Sequence, residues 1–361
     1  SMQDSTGSQL KAVASRSIEK AEKFGKKYDC SAVEGYDNLL NDSEIDAIYV
    51  ATPHDSHFDL TLTALKAKKS VLCEKPMTLN STETMVLIEA ARENEVLLME
   101  AFMYRTHPQT DKIRELVKEE FKDNPITIEA SFGFSAQVPE EHRLVNPELG
   151  GGSIMDIGCY PMSMSRMIIG EQNGKPFSNP VAIEAKGELS SRGVDLNAIA
   201  KLSFDNGSKA LISSAINKPL KNSVLIANEE KTIYVAEPWQ CGEQNNRQSQ
   251  IIYKRKGRED EVIDFKEEKG VFTYEIDHFV SLLNQEKKQS EKISHADSHG
   301  NMVWLDAWRK NIGVYYSADN PENRKFSLLG ETAIKDREPI SSTTLSGLDK
   351  KVSRVVFGCD N

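Results

Sequence analysis

The chain lacks the marks of several large protein classes. No apolar run approaches the roughly 18 residues of a membrane-spanning helix, and no secretory leader is visible. Basic residues are not in excess. Lys and Arg number 45 against 55 Asp and Glu, a formal net charge of −10. That balance argues against non-specific nucleic-acid binding, which needs a basic surface. Cysteine is sparse: Cys30, Cys73, Cys159, Cys241 and Cys359 are scattered with no C-x-x-C spacing. Free thiols in a reducing, cytoplasmic setting follow, not a disulfide framework. His54 and His57, and His295 and His299, are spaced as metal ligands could be, but each pair lacks further partners at matching spacing. No metal is expected. Internal repeats and low-complexity linkers are also missing.

What is present is an ordinary globular composition, 39% hydrophobic and 28% charged, in 361 residues. That length accommodates two domains with cores of their own. Residues 9–14 form a short apolar strand. Ser17 can cap a helix carrying Ile18, Ala21 and Phe24 at helical spacing. Ala47 to Ala51 is a strand ending in Thr52-Pro53, and a helix follows from about His57 to Ala67. Val71 to Cys73 is the next strand, stopped by Pro76. Ser81, with Thr84 three residues on, can cap a helix reaching Asn94, and Val96 to Met99 is again a strand. Strand and helix alternate at βαβ spacing, which predicts a doubly wound parallel sheet.

After about residue 124 the rhythm changes. Long strands are predicted at Ile126 to Phe134, Val181 to Leu189, Asn197 to Phe204 and Ser208 to Ile216, then Ile233 to Val235 and Gln250 to Lys254. Asp205-Asn206-Gly207 is a hairpin turn. Helices are predicted near Asp156–Ile169, Tyr274–Leu283 and His299–Val314. The fold class is thus α/β followed by α+β: a Rossmann-type parallel sheet over residues 3–123, then an α+β domain with a large open antiparallel sheet over 124–335, then a tail at 341–361. An open sheet needs its outer face covered, usually by a partner subunit.

Two segments carry the chemistry. Cys73-Glu74-Lys75-Pro76 closes an apolar strand, so Lys75 stands at a strand's carboxyl end, where ligands of such sheets bind. The run Gly150-Gly151-Gly152 leads into Asp156 and Tyr160, four apart on a predicted helix face. Lysine, aspartate and tyrosine suit the movement of a proton on and off an alcohol. Tyr160 would be the acid/base, Asp156 would orient it or the substrate, and the Lys75 ammonium would lower the phenol pKa. Against this, Lys75 could be a surface lysine paired with Glu74, Tyr160 a half-buried aromatic, and Asp156 a helix-start acid favoured by the macrodipole.

These segments resemble the signature of the Gfo/Idh/MocA oxidoreductases. Similar stretches lie in order along nearly the whole chain: Val13 to Ser17 at the end of the second Rossmann strand, Ala51-Thr52-Pro53-His54-Asp55-Ser56-His57, Met99 to Arg105 between the domains, and Trp308 to Tyr316 in the last helix. Tyrosine four after the aspartate resembles the dimeric dihydrodiol and sugar dehydrogenase branch. The resemblance implies an NAD(P)-dependent oxidoreductase acting on a secondary alcohol or ketone of a sugar, polyol or dihydrodiol, with Lys75, Asp156 and Tyr160 catalytic. Ser15, Arg16 and Lys20 would meet the cofactor ribose, and an arginine there suits the 2′-phosphate of NADP, with NAD possible. Thr52, Pro53, His57 and Glu74 would line the cofactor. Arg105, His107 and Arg143 would contact substrate. A homodimer or higher homo-oligomer is implied.

Two departures stand out. No G-x-G-x-x-G occurs anywhere in the chain, so the family's first βα unit and its phosphate-binding turn are expected to be absent. Ser1-Met2 reads as a cloning remnant, and rearrangement is expected near residues 3–20. Leu345 to Asn361 resembles the opening of an aldo-keto reductase barrel, and one strand cannot close a barrel. The alternatives to an enzyme are a non-catalytic regulatory member that binds cofactor or sugar, and an inactive fragment of an oxidoreductase/aldo-keto reductase fusion.

Overall fold

The structure, a computed structural model, describes residues 4–5, 7–122, 124–323, 342–344 and 351–353. Short apolar runs alternate with amphipathic ones through the first hundred residues. They give β1 (Ala12–Ser15), α1 (Ile18–Tyr28), β2 (Ser31–Glu34), α2 (Asp37–Leu40), β3 (Ala47–Val50), α3 (His54–Lys66), β4 (Ser70–Glu74), α4 (Ser81–Glu93) and β5 (Leu98–Ala101). All described strand pairs here are parallel, as the βαβ spacing predicts. They form two separate sheets, β1-β2 and β3-β4-β5, where one continuous sheet is the usual doubly wound arrangement.

Caps explain where the helices begin. Ser17 is extended and its side chain accepts from the Lys20 amide, as predicted. At α4 the cap is Asn80, one residue before the predicted Ser81. Asn80 is extended and accepts from the Glu83 amide, while the Ser81 amide is taken by the Asp306 carboxylate at 2.9 Å. Two cap-forming residues stand in a row, and a distant acid satisfies the second.

A 3-10 turn (Met103–Thr106) and α5 (Pro108–Glu120) lead to the second sheet. Its elements are β6 (Thr127–Gly133), a π-helical turn (Ile154–Gly158), α6 (Cys159–Gln172), β7 (Ala182–Leu189), β8 (Asp195–Ser203), β9 (Lys209–Ala215), β10 (Val224–Ala227), β11 (Lys231–Val235), β12 (Gln248–Arg255) and β13 (Glu261–Lys266). Two helices follow, α7 (Val271–Asn284) and α8 (His295–Asn311). Among the described residues the order is β13-β12-β11-β10-β6-β9-β8-β7. Every neighbour pair is antiparallel except β6 and β9, which run parallel. The expected all-antiparallel sheet is therefore mixed. β6 and β9 are far apart in sequence, so no hairpin forces them antiparallel.

α6 is buried on every side, with Met162, Met164, Met167, Ile168 and Ile169 in the core, as a helix apolar all round must be. Sheet residues such as Ala200, Leu202 and Ile212 pack in the same cluster as Leu72, Tyr160 and Trp308, so one core joins both halves. On the other sheet face Leu189, Ile199 and Leu211 are exposed. No described helix is long and apolar enough to cross a membrane.

Residues 320–361 make a second compact unit. Within it, β14 (Ser342–Thr344) pairs antiparallel with β15 (Lys351–Ser353), so Val352 lies opposite Thr343. Most of the barrel-like stretch 345–361 lies outside the described residues.

Candidate active site

The glycine run decides where the site begins. Gly150 and Gly152 have φ of +69° and +116°, which glycine adopts without penalty. Space forbids side chains as well. A Cβ at Gly150 would lie 2.3 Å from Leu79 Cδ2, at Gly151 2.6 Å from the Arg143 carbonyl oxygen, and at Gly152 2.3 Å from Asp195 Oδ1. The run passes directly into the π-helical turn and then α6, so the helical segment begins two residues before the predicted Asp156. Such π turns often mark functional sites. Pro161, the third residue of α6, follows the π turn with no break in the helical backbone, so its missing N–H leaves one carbonyl of that turn without a helical donor. Buried Asp195 accepts from the Ile154 amide at 2.7 Å and from Ser153 Oγ at 2.6 Å, fixing the start of the turn.

Lys75 reaches this turn from the end of β4, and its bond to Pro76 is cis. Its Nζ donates to the Asp156 carbonyl at 2.7 Å and lies 5.2 Å from the centre of the Tyr160 ring. Asp156 Oδ1 accepts from Arg143 Nη1 at 2.8 Å. Burial pushes the Asp156 carboxyl up, but Lys75 and Arg143 outweigh it and hold it below the usual range. The structure thus brings together Lys75, Asp156, Tyr160 and Arg143.

Tyr160 differs from expectation in one respect. It sits among Phe102, Tyr104, Phe132 and Trp239, with ring centres 5.3 to 5.8 Å away. Among the described residues its hydroxyl donates only to Met103 Sδ, at 3.4 Å. Burial pushes the phenol pKa well above its ordinary value, and Cys159 and Glu74 add to this. The net direction is opposite to the predicted lowering, because desolvation dominates.

On the cofactor side, the Ser15 carbonyl accepts from the Gly35 amide at 2.9 Å. Arg16 and Lys20 are exposed, and the Arg16 charge acts on Asp55 at the start of α3. Thr52 Oγ1 accepts from Ser56 Oγ at 2.8 Å, and Pro53 precedes α3. Glu74 accepts from Tyr49 and, at 3.3 Å, from the Lys75 amide. His57 is sealed from solvent, its ring nitrogens 2.9 and 2.8 Å from the carbonyl oxygens of Pro76 and Thr52. It clamps two loops together and does not line a ligand surface.

Two predicted substrate contacts are also internal. Arg105 is 1% exposed and donates to Asp297 at 2.8 Å, to the Lys292 carbonyl and to Ser163. Arg166 holds the other oxygen of Asp297 at 2.6 Å. Arg105 is therefore a buried tie between elements. His107 accepts from the Gln109 amide and caps α5, and burial lowers its pKa to about 4. Pro108 at the first helical position is a helix-start signal, and the cap it implies explains His107 better than substrate contact does.

The sequence reading gave no role at this site to His54 or Asp195. His54 Nδ1 donates to the Gly150 carbonyl at 3.0 Å, and burial, Lys75 and His57 hold the ring neutral. Its position right after Pro53, at the first turn of a helix, was the available signal. A surface hollow of about 430 Å³ lined by Asp111, Arg114, Glu115 and Lys118 holds none of these groups. Solvated charges line it, and no reactive set converges there.

Comparison with known proteins agrees with this geometry. The description "Oxidoreductase family, NAD-binding Rossmann fold" matches residues 1–102, and "GFO/IDH/MocA C-terminal domain" matches 110–234. A trans-1,2-dihydrobenzene-1,2-diol dehydrogenase from Xenopus tropicalis is 32% identical over 316 residues, covering 85% of this chain and 91% of the relative. The chain belongs to the Gfo/Idh/MocA oxidoreductase family. A relative from Haloferax volcanii, D-xylose 1-dehydrogenase (NADP(+)) 2, is 32% identical over 58% of this chain and 62% of its own length. The fold is shared with a 3-ketoreductase from Actinomadura kijaniata solved with NADP and TDP-benzene, at TM-score 0.76, 24% identity, and 87% and 93% coverage of the two chains. It is also shared with an aldose-aldose oxidoreductase from Caulobacter crescentus complexed with glycerol, at TM-score 0.75, 23% identity, and 86% and 91% coverage.

Proposed function

We propose that this oxidoreductase interconverts a secondary alcohol and a ketone on a sugar, polyol or dihydrodiol, with NADP preferred over NAD. The observation that carries the reading is the meeting of Lys75 Nζ, 2.7 Å from the Asp156 carbonyl, with the turn that bears Asp156 and Tyr160. Those residues come from segments about eighty positions apart, and surface lysines seldom end in such a bond. The names of the relatives supply the substrate class.

The residues present fit a nicotinamide cofactor at two points. Lys75, Thr52 and Pro53 stand at the carboxyl ends of β4 and β3, where a nicotinamide would lie, and Ser15 with exposed Arg16 stands at the end of β1, where a ribose phosphate would lie. Bound cofactor gives or takes the hydride.

The protein's own part is the oxygen. Tyr160 keeps its proton because burial holds its pKa high, and its partner Met103 Sδ is a weak acceptor. It can exchange that bond for one to a carbonyl oxygen and release the proton as an alkoxide, a far stronger base, develops. The Lys75 ammonium stabilises the same developing charge. Asp156, ionised and held by Arg143, orients a substrate hydroxyl by accepting from it.

The same reading places the domain boundary near residues 123 and 124, the protein in the cytoplasm, and a second copy over the exposed Leu189, Ile199 and Leu211. Cys30, Cys73, Cys159 and Cys241 are all free thiols, as a reducing compartment permits. The test is NADPH formation with D-xylose and with a trans-dihydrodiol, beside a calorimetric NADP titration. Turnover with either substrate that is lost in Lys75→Ala supports the reading. Undiminished turnover in Lys75→Ala overturns it.

A further inference from the structure

Lys75 is held from behind. Pro76 has no N–H, so the next backbone donor after Lys75 is the Met77 amide. That amide donates to Glu100 Oε1 at 3.0 Å. Glu100 lies on β5, directly across from Cys73 in the β4 register, and is 2% exposed. Its other oxygen, Oε2, makes no hydrogen bond of ordinary geometry. A carboxylate buried with this amide and the Ser298 side chain as its partners is costly unless the amide's position matters.

We propose that Glu100 is a positioning residue, whose carboxylate fixes the Lys75–Met77 turn and so sets where the Lys75 ammonium stands. The proposal rests on the reading that Lys75 acts on substrate. A charged acceptor holds an N–H more tightly than a neutral one does, so the anchor is firm when Glu100 is ionised. The surroundings make that state adjustable. Burial pushes the carboxyl up to about 7, with Ser298, the Met77 amide and Arg166 resisting and Asp297 adding to the rise. The other groups facing it are Cys73 from β4 and Cys159 from α6, both kept as neutral thiols by burial. Arg105, bound to Asp297, completes the charged set. The anchor therefore loosens as pH falls through neutrality.

The test uses the full chain with selectively ¹⁵N-labelled methionine, the Met77 signal being assigned with Met77→Leu. The Met77 amide proton is expected to move upfield as pH falls, with a midpoint near 7, and to stay fixed in Glu100→Gln. That variant keeps an acceptor oxygen and near-identical shape, and equal melting temperatures confirm that it folds. In parallel, kcat should fall on the acid side in the parent and lose that limb in Glu100→Gln, with KM for NADP unchanged. Glu100→Ala should lower kcat by roughly 10²-fold, the scale of a misplaced catalytic group. A Met77 signal that does not titrate, or a kcat profile identical in parent and Glu100→Gln, overturns the proposal. Absence of turnover in the parent would defeat the functional reading alone, since the Met77 titration reports the anchor without catalysis.

Discussion

β4 and β5 are buried along nearly their whole length, whereas no residue of β1 or β2 is. Both pieces are parallel strands flanked by helices, so topology does not separate them. Composition and neighbours do. Val71-Leu72-Cys73 is paired on both edges, and all three residues are at most 2% exposed. Among the described residues β1 pairs only with β2, and α1 buries only Ala21 and Gly25. Segments with few buried apolar contacts open at low cost, while core strands open only with the whole fold. Lys75, proposed to act on the substrate oxygen, thus stands at the end of the well-buried piece, and Arg16, proposed to select the cofactor, on the looser one. Proton chemistry needs fixed distances, whereas a phosphate contact tolerates an exposed arginine.

The largest effect should come from the buried site where the end of β4 meets α6. Lys75→Ala and Tyr160→Phe are each expected to lower kcat by roughly 10²-fold or more, the scale of lost acid/base catalysis. The double variant should be little worse than either single one, because residues that act as a unit are not additive. Steady-state kinetics on the three variants decides this. Parental turnover in Tyr160→Phe would mean that the hydroxyl stays with Met103 and that Lys75 works alone.

On the looser piece the effect should be smaller and selective. Arg16→Ala is expected to weaken NADP by roughly tenfold or more, the scale of a lost charged hydrogen bond, and to leave NAD nearly unchanged. Calorimetric titration with each cofactor reads the difference. Equal losses would show that Arg16 does not meet the 2′ position. A loss of melting temperature with no change in selectivity would show that it serves the fold of the β1–β2 piece.

How much of this was legible in sequence follows the same division. The βαβ rhythm, the Ser17 cap and the Lys75 and Asp156–Tyr160 segments were readable because period and spacing are local. Arg143, read as a substrate contact, pairs with the Asp156 carboxylate, a partner that its spacing before the glycine run did not indicate. Burial and direction were not readable. Arg105 and His107 carry the residue types of a substrate site, but a full ion pair with Asp297 and a helix cap absorb them. The Tyr160 pKa was read from its charged neighbour alone, while four aromatic rings from distant segments set its solvation. The parallel β6–β9 pair was hidden because strand order across a long excursion leaves no periodic trace.

The smallest effects should come from the two helix caps, one on each piece. Asn80 is 6% exposed, accepts from the Glu83 amide at 3.0 Å, and donates Nδ2 to the Ala318 carbonyl at 3.0 Å. Asn80→Ala removes both bonds and leaves a carbonyl unpaired, so a loss of about 2 kcal/mol is expected, the upper end for caps. Ser17 accepts from Lys20 at 3.4 Å in an exposed setting where water can replace it. Ser17→Ala should cost about 0.5 kcal/mol, the lower end. Urea unfolding followed by far-ultraviolet circular dichroism gives both values. If the β1–β2 piece opens by itself, Ser17→Ala shifts only an early, shallow phase and leaves the main midpoint in place. Equal shifts of one common transition by both variants would show that the two pieces unfold together, and the contrast in burial would then carry no difference in stability.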